Sequence, residues 1–81
     1  MKKDILLQAN YRYSFDRDIY FNRNAKKAFS LEFVEDHSEQ DLIWRINERA
    51  IGKEWKFYFN SGPSESVKRE LERVLDGRTN S

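Results

Sequence analysis

Alternation of apolar and polar residues is the feature that most constrains the fold of this 81-residue chain. Apolar side chains occupy the odd positions from Ile5 to Phe15, and shorter alternating runs follow at residues 29–33, 42–46 and 55–59. Beyond these runs, apolar residues recur three or four positions apart. Period-two alternation predicts strands with one buried face, whereas the wider spacing predicts an amphipathic helix. We therefore expect an α+β domain, an antiparallel β-meander of four or five strands followed by one C-terminal helix packed on the sheet.

The first strand is expected to run from about Ile5 to Phe15. Aspartates in residues 16–18 favour a tight turn, because Asp bonds to its own backbone and tolerates turn conformations. Such a turn would place Ile19 opposite Phe15 and Phe21 opposite Tyr13. One very long strand that continues through Asn22 is the alternative, although it would be longer than most strands.

The later strands are expected to pair through their apolar residues. Pairing residues 29–33 with 42–46 leaves a loop at residues 36–39, and pairing 42–46 with 55–59 leaves a turn around residues 50–52. Both registers place the large apolar side chains on one face, which a slip of one residue would reverse.

The C-terminal helix is expected to begin near Pro63 or Ser64 and to end at Gly77. Proline suits the first helical turn, serine is a favoured N-cap, and glycine favours the left-handed conformation after a helix. Residues 1–4 and 78–81 are expected to be flexible ends of a single domain spanning residues 1–81.

Composition limits the compartment and the type of partner. The chain has no cysteine, no apolar run long enough to span a bilayer, and a net charge of +1. Absence of cysteine fits a reducing compartment, and a bilayer span needs about 20 apolar residues. The sequence thus indicates a soluble cytoplasmic protein that does not bind membranes and has no overall attraction to nucleic acid.

Side chains suited to catalysis are few. The single histidine, His37, lies in an acidic segment at residues 35–41, where it could act as a general base or a metal ligand, or simply be solvated. Carboxylate pairs at residues 35–36 and 16–18 lie in expected turns, and the three glycines are isolated rather than forming a phosphate loop. We predict no enzymatic activity, no metal and no cofactor.

Self-association is the leading functional hypothesis. One helix covers only two or three strands, because it is about 10 Å wide and strands lie about 4.8 Å apart. A meander of four or five strands would retain a surplus apolar face, which predicts a non-catalytic assembly module that forms a homodimer. The residues expected in the core or at the subunit interface are Trp44, Trp55, Phe57 and Phe59.

Nucleic-acid binding is the alternative hypothesis, and an unidentified protein partner also remains open. In the expected register Arg45 faces Lys56 on the outward side of the sheet, with Tyr58 beside them and Arg12 extending the patch. Basic groups around exposed aromatic rings are typical of sheets that hold single-stranded nucleic acid.

Overall fold

Helices flank both faces of a short four-stranded sheet. The computed structural model describes residues 1–49 and 52–77. Within these ranges the helices are α1 (Lys2–Gln8), α2 (Leu31–Asp36), α3 (Glu39–Asn47) and α4 (Glu65–Leu75). The strands are β1 (Arg12–Ser14), β2 (Ile19–Asn22), β3 (Lys27–Ser30) and β4 (Lys56–Tyr58). None of the described helices is long and apolar enough to cross a membrane.

The sheet is mixed rather than a pure meander. Its strand order is β1-β2-β3-β4, with antiparallel pairing up to β3 and parallel pairing between β3 and β4. A parallel pair needs a crossover connection, whereas an antiparallel pair needs only a turn. Here α2 and α3 lie in the crossover from β3 to β4, so the predicted antiparallel pairing of the last strands is wrong.

The first predicted strand is a helix followed by a much shorter strand. Leu6, which interrupts the alternation, is fully buried, whereas Leu7 is exposed. Helix α1 ends before Asn10, whose φ of 72° reverses the chain, and β1 begins at Arg12. Residues 2–4, expected to be flexible, are part of α1.

The turn at the end of β1 is present, so the alternative of one long strand is wrong. It occupies residues 15–18 rather than 16–18. Because the turn is one residue longer than expected, Tyr13 pairs with Tyr20 and not with Phe21.

The run at residues 42–46 is part of helix α3 and not a strand. The Ser38 side chain caps α3 by accepting a hydrogen bond from the Asp41 backbone at 3.1 Å. Leu42 is fully buried, and Ile46, one turn later, packs against the same core. A serine N-cap with an acidic residue in the first turn favours a helix, and here it prevails over the alternation.

Two apolar clusters lie on opposite faces of the sheet. On one face, Phe29 and Tyr58 pack with α1, α2 and α3 through Leu6, Phe33 and Leu42. The other face packs against α4, and its buried members are Ile19, Ala28, Trp55, Leu71 and Leu75. Helices therefore cover both faces of the sheet. The sequence predicted an uncovered apolar face because it predicted only one helix, and the described residues do not form such a face.

The C-terminal helix is where the sequence predicts it. The Ser64 side chain accepts a hydrogen bond from the Val67 backbone at 3.3 Å, which makes Ser64 the N-cap of α4. Gly77, just beyond the helix, has a φ of 75°, which a glycine adopts without strain. Of the other predicted features, the centre of the turn at residues 50–52 and the tail at 78–81 lie outside the described residues.

Candidate interaction surface

The outer side of α3 presents a continuous uncharged stripe. Its members, spaced as one helix face, are Gln40, Ile43, Trp44 and Asn47, called here the α3 stripe. All four side chains are exposed. Trp44 is 64% exposed and Ile43 is 43% exposed, although tryptophan is largely buried in most proteins. A tryptophan exposed within an uncharged helical stripe is typical of surfaces suited to contact with another molecule.

The C-terminal end of α3 is held by a buried lysine. Lys27 is 2% exposed, and its ammonium group donates to the carbonyls of Arg45 at 2.9 Å, Ile46 at 3.1 Å and Glu48. Carbonyls at the end of a helix are not fully satisfied by its own backbone and carry its partial negative charge, which a cation stabilises. Here the Arg45 carbonyl also accepts from the Glu48 backbone at 3.3 Å. Desolvation lowers the pKa of Lys27, and the nearby Glu48 carboxylate opposes that shift.

The sequence prediction placed Lys27 only among the residues that could extend the outward basic patch, although a signal for its buried position was present. It precedes Phe29 by two positions and therefore shares its buried sheet face. A lysine at a core position requires polar partners, but the sequence did not indicate that a helix end would provide them.

The structure brings together three of the residues expected to bind nucleic acid, but in a different arrangement. The Arg45 guanidinium carbon lies 5.8 Å from the centre of the Tyr58 ring, and the Lys56 Nζ lies 5.4 Å from it. Arg45 donates to Asp41 at 3.2 Å, and Lys56 lies 3.5 Å from a Glu48 carboxylate oxygen. Both cations are therefore paired within the chain.

Tyr58 is a core residue rather than an exposed stacking platform. It is 5% exposed, and its ring stacks on Phe29 with the ring centres 4.4 Å apart. Its hydroxyl donates to Glu48 at 2.9 Å. Desolvation, reinforced by this carboxylate, raises the pKa of Tyr58. Nucleic-acid binding through this cluster stays a prediction, and the paired charges and buried ring give it little support.

Arg12 is separate from that cluster. It pairs with Phe21 across β1 and β2, and this register places it on the sheet face that α4 covers. Its side chain lines a groove together with Arg23.

The four aromatic residues expected to form the core or a subunit interface lie in two places. Trp55 is buried against α4, and its indole nitrogen donates to Asp76 at 2.9 Å. Phe57 and Phe59 are half-buried and pack against the same cluster. Trp44 lies across the sheet from them and faces outward, so it alone of the four is available for contact with another molecule.

His37 occupies a structural position at the end of α2. Its Nδ1 lies 2.8 Å from the carbonyl oxygen of Phe33, and its ring stacks on the Phe33 ring at 3.8 Å. Its Nε2 lies 3.8 Å from an Asp41 carboxylate oxygen.

One carboxylate of each pair considered for catalysis accepts a hydrogen bond from another side chain. Asp18 accepts from the Tyr13 hydroxyl at 2.7 Å, and Asp36 accepts from the Asn60 amide at 2.6 Å. No group of three potential metal ligands occurs within residues 1–49 and 52–77.

Comparison with known proteins adds no relative: no family model, curated protein or solved structure matches this chain. The most distinctive surface is the α3 stripe, and its side chains are suited to contact rather than to chemistry.

Proposed function

We propose that this protein is a non-catalytic assembly module that forms a homodimer through the α3 stripe. The observation that supports this most directly is the 64% exposure of Trp44 at the centre of the stripe. Tryptophan is among the residues that contribute most to binding energy at protein interfaces. Since both sheet faces are covered by helices, we place the contact on α3 and not on the sheet.

The order of residues in the stripe favours a second copy of the chain as the partner. Two α3 helices packed antiparallel about a two-fold axis between Ile43 and Trp44 would place each of these residues against the other. The same axis would place Gln40 of one copy against Asn47 of its partner. Apolar groups would meet apolar groups and amides would meet amides, as a self-complementary two-fold interface requires.

Charges beside the stripe do not oppose this contact. Glu39 lies 3.4 Å from the N-terminal ammonium group, and Asp41 is paired with Arg45. Because both acidic groups are balanced within their own chain, two copies of α3 can approach without strong repulsion between like charges.

The expected dimer is weak. A fully buried aromatic side chain removes up to about 250 Å² from water, so the exposed 64% of Trp44 offers about 160 Å². At about 25 cal/mol per Å², this area contributes ~4 kcal/mol for each copy. Association costs about 4–15 kcal/mol in lost freedom of motion. With Ile43 included the two copies gain about 12 kcal/mol, so an association cost of about 5–8 kcal/mol, near the lower end of that range, corresponds to a dissociation constant of roughly 10–1,000 μM.

Sedimentation equilibrium over a wide concentration range tests the proposal. We expect the average mass of the native chain to rise towards that of a dimer, and Trp44→Glu to remain monomeric. Val67→Glu is the matched control, because Val67 is 44% exposed on α4, away from the stripe. A native chain that stays monomeric at high micromolar concentration, or equal loss in both variants, would contradict the proposal.

The cytoplasm is the compartment that we propose. A chain without cysteine gains no stability from an oxidising environment. A weak homodimer also depends on local concentration, so assembly would respond to how much of the protein the cell makes.

A further inference from the structure

We infer a second site, a groove beside β1 and β2 that binds the phosphate of a nucleotide. The groove has a volume of about 500 Å³. Its lining includes two arginines and three asparagines and contains no carboxylate. These residues are Arg12, Arg23, Asn10, Asn22 and Asn24. A concave surface lined by cations and amides attracts anions, because its walls focus the positive potential.

Arg23 is held in place at the wall of the groove. Its Nε donates to the carbonyl of Leu75 at 2.6 Å, and its guanidinium carbon lies 5.5 Å from the centre of the Phe21 ring. Gly77 permits this position, since a Cβ there would lie 3.3 Å from an Arg23 terminal nitrogen. Arg23 therefore presents a fixed guanidinium group rather than a mobile one.

Arg12 contributes the more available charge. Arg12 on β1 pairs with Phe21 on β2, and Phe21 precedes Arg23 by two residues. Both guanidinium groups therefore reach the same side of the hairpin, where they line the groove. Within the described residues, neither arginine forms an ion pair with a carboxylate.

Little formal negative charge lies near the groove to oppose a bound anion. The Arg23 hydrogen bond already offsets part of the negative end of α4. Asp76, which follows α4, lies 3.6 Å from the Lys26 ammonium and accepts from the Trp55 indole. An anion in the groove would thus meet two guanidinium groups and little opposing charge.

The donor set favours phosphate over carboxylate. One arginine fork is enough for the two oxygens of a carboxylate, whereas a phosphate has further oxygens that can accept from a second guanidinium. Asn10 and Asn24 add amide donors and acceptors of the kind that bond to nucleobase edges. A free nucleotide and a nucleotide within single-stranded nucleic acid share this chemistry.

The groove is independent of the α3 stripe. The register of β1 and β2 places Arg12 on the sheet face that packs against α4, whereas α3 covers the opposite face. Loss of nucleotide binding and loss of self-association are therefore expected from different substitutions.

The test is a titration of the ¹⁵N-labelled protein by NMR with four probes: adenosine 5′-monophosphate, adenosine, inorganic phosphate and a short oligothymidylate. The variants are Arg12→Glu, Arg12→Lys and the control Arg17→Glu. The control makes the same charge change at an exposed position in the turn after β1. We expect Arg12→Glu to weaken binding tenfold or more, Arg12→Lys to weaken it less, and Arg17→Glu to have little effect.

Two outcomes would support the inference and identify the source of the phosphate. Binding of the monophosphate indicates a free nucleotide, and binding of the oligonucleotide alone indicates single-stranded nucleic acid, provided that either depends on Arg12. Three outcomes would overturn it: no binding of either probe at millimolar concentration, adenosine binding as tightly as its monophosphate, or equal losses in Arg12→Glu and Arg17→Glu.

Discussion

Replacing Lys27 with methionine is the substitution whose effect follows most directly from the structure. Methionine keeps an unbranched side chain of similar length in the core but removes the ammonium group. The carbonyls of Arg45, Ile46 and Glu48 then lose their common donor at the end of α3. The local sheet packing around Phe29 should be little changed, so the variant isolates the polar contribution.

The expected loss of unfolding free energy is about 2–4 kcal/mol. A hydrogen bond that involves a charged group contributes about 1.5–3 kcal/mol, and Lys27 makes three bonds to carbonyls. The sum is reduced because the variant no longer has to desolvate an ammonium group. Such a loss is large beside the total stability of roughly 5–15 kcal/mol typical of a small domain.

Urea denaturation followed by tryptophan fluorescence measures this loss. Lys53→Met is the matched control, because Lys53 is exposed in the loop before β4, and we expect it to change stability by less than about 0.5 kcal/mol. A loss in Lys27→Met no larger than in this control would refute the capping role of Lys27.

The pH dependence of stability provides a second measurement on Lys27. Its pKa in the folded chain is lowered from 10.5 by desolvation. Between the lowered value and 10.5 the unfolded chain therefore binds more protons than the folded chain. Stability from this group should rise with pH through that window, and Lys27→Met should abolish the rise.

Two further substitutions test buried and capping groups. The Tyr11 hydroxyl is buried without a hydrogen-bond partner in the described residues, and desolvation raises its pKa to about 12. We expect Tyr11→Phe to increase stability by about 1 kcal/mol and to remove one late step from the absorbance titration of the tyrosines; a clear loss of stability would argue for an unrecognised partner. Ser64→Ala should lower stability by about 1 kcal/mol in thermal unfolding followed by circular dichroism. An unchanged midpoint would show that the Ser64 cap contributes nothing to α4.

Local signals predicted the C-terminal helix. Ser64 caps α4, Leu71 and Leu75 are buried one turn apart, and Gly77 adopts a positive φ. These features act within a few residues of one another, so a reading of the sequence can recover them without knowledge of the tertiary structure.

The alternation of apolar residues predicted a strand wrongly where the alternating side chains are not buried on the same side. Leu42, Trp44 and Ile46 alternate like a strand, but Leu42 and Ile46 are also four residues apart and lie on one side of a helix. Three apolar positions cannot separate the two periods, whereas Ser38 three residues before Asp41 favoured the helix. In a helix with Leu42 and Ile46 on its buried side, Trp44 lies on the outer face.

Candidate surfaces depend on contacts between distant parts of the chain, and the sequence predicted them only in part. Arg45, Lys56 and Tyr58 do lie together, although they do so because α3 packs over β4 and not because two strands pair. Lys27 and its carbonyl partners are 18–21 residues apart. No spacing rule connects a strand lysine with a helix end that far along the chain.

Disulfide trapping tests whether two copies associate through antiparallel α3 stripes. The chain has no cysteine, so the double variant Gln40→Cys, Asn47→Cys introduces the only thiols. Seven residues along a helix span about 10.5 Å, beyond the usual Cα separation of about 4.4–6.8 Å in a disulfide. Any bond between positions 40 and 47 must therefore join two copies.

Mild oxidation of the double variant should yield a covalent dimer on non-reducing gels, with peptide mapping that links position 40 of one copy to position 47 of its partner. Gln40→Cys alone should cross-link far less, because the proposed axis separates the two copies of position 40. A double variant that stays monomeric, or a single variant that cross-links equally well, would contradict the proposed dimer.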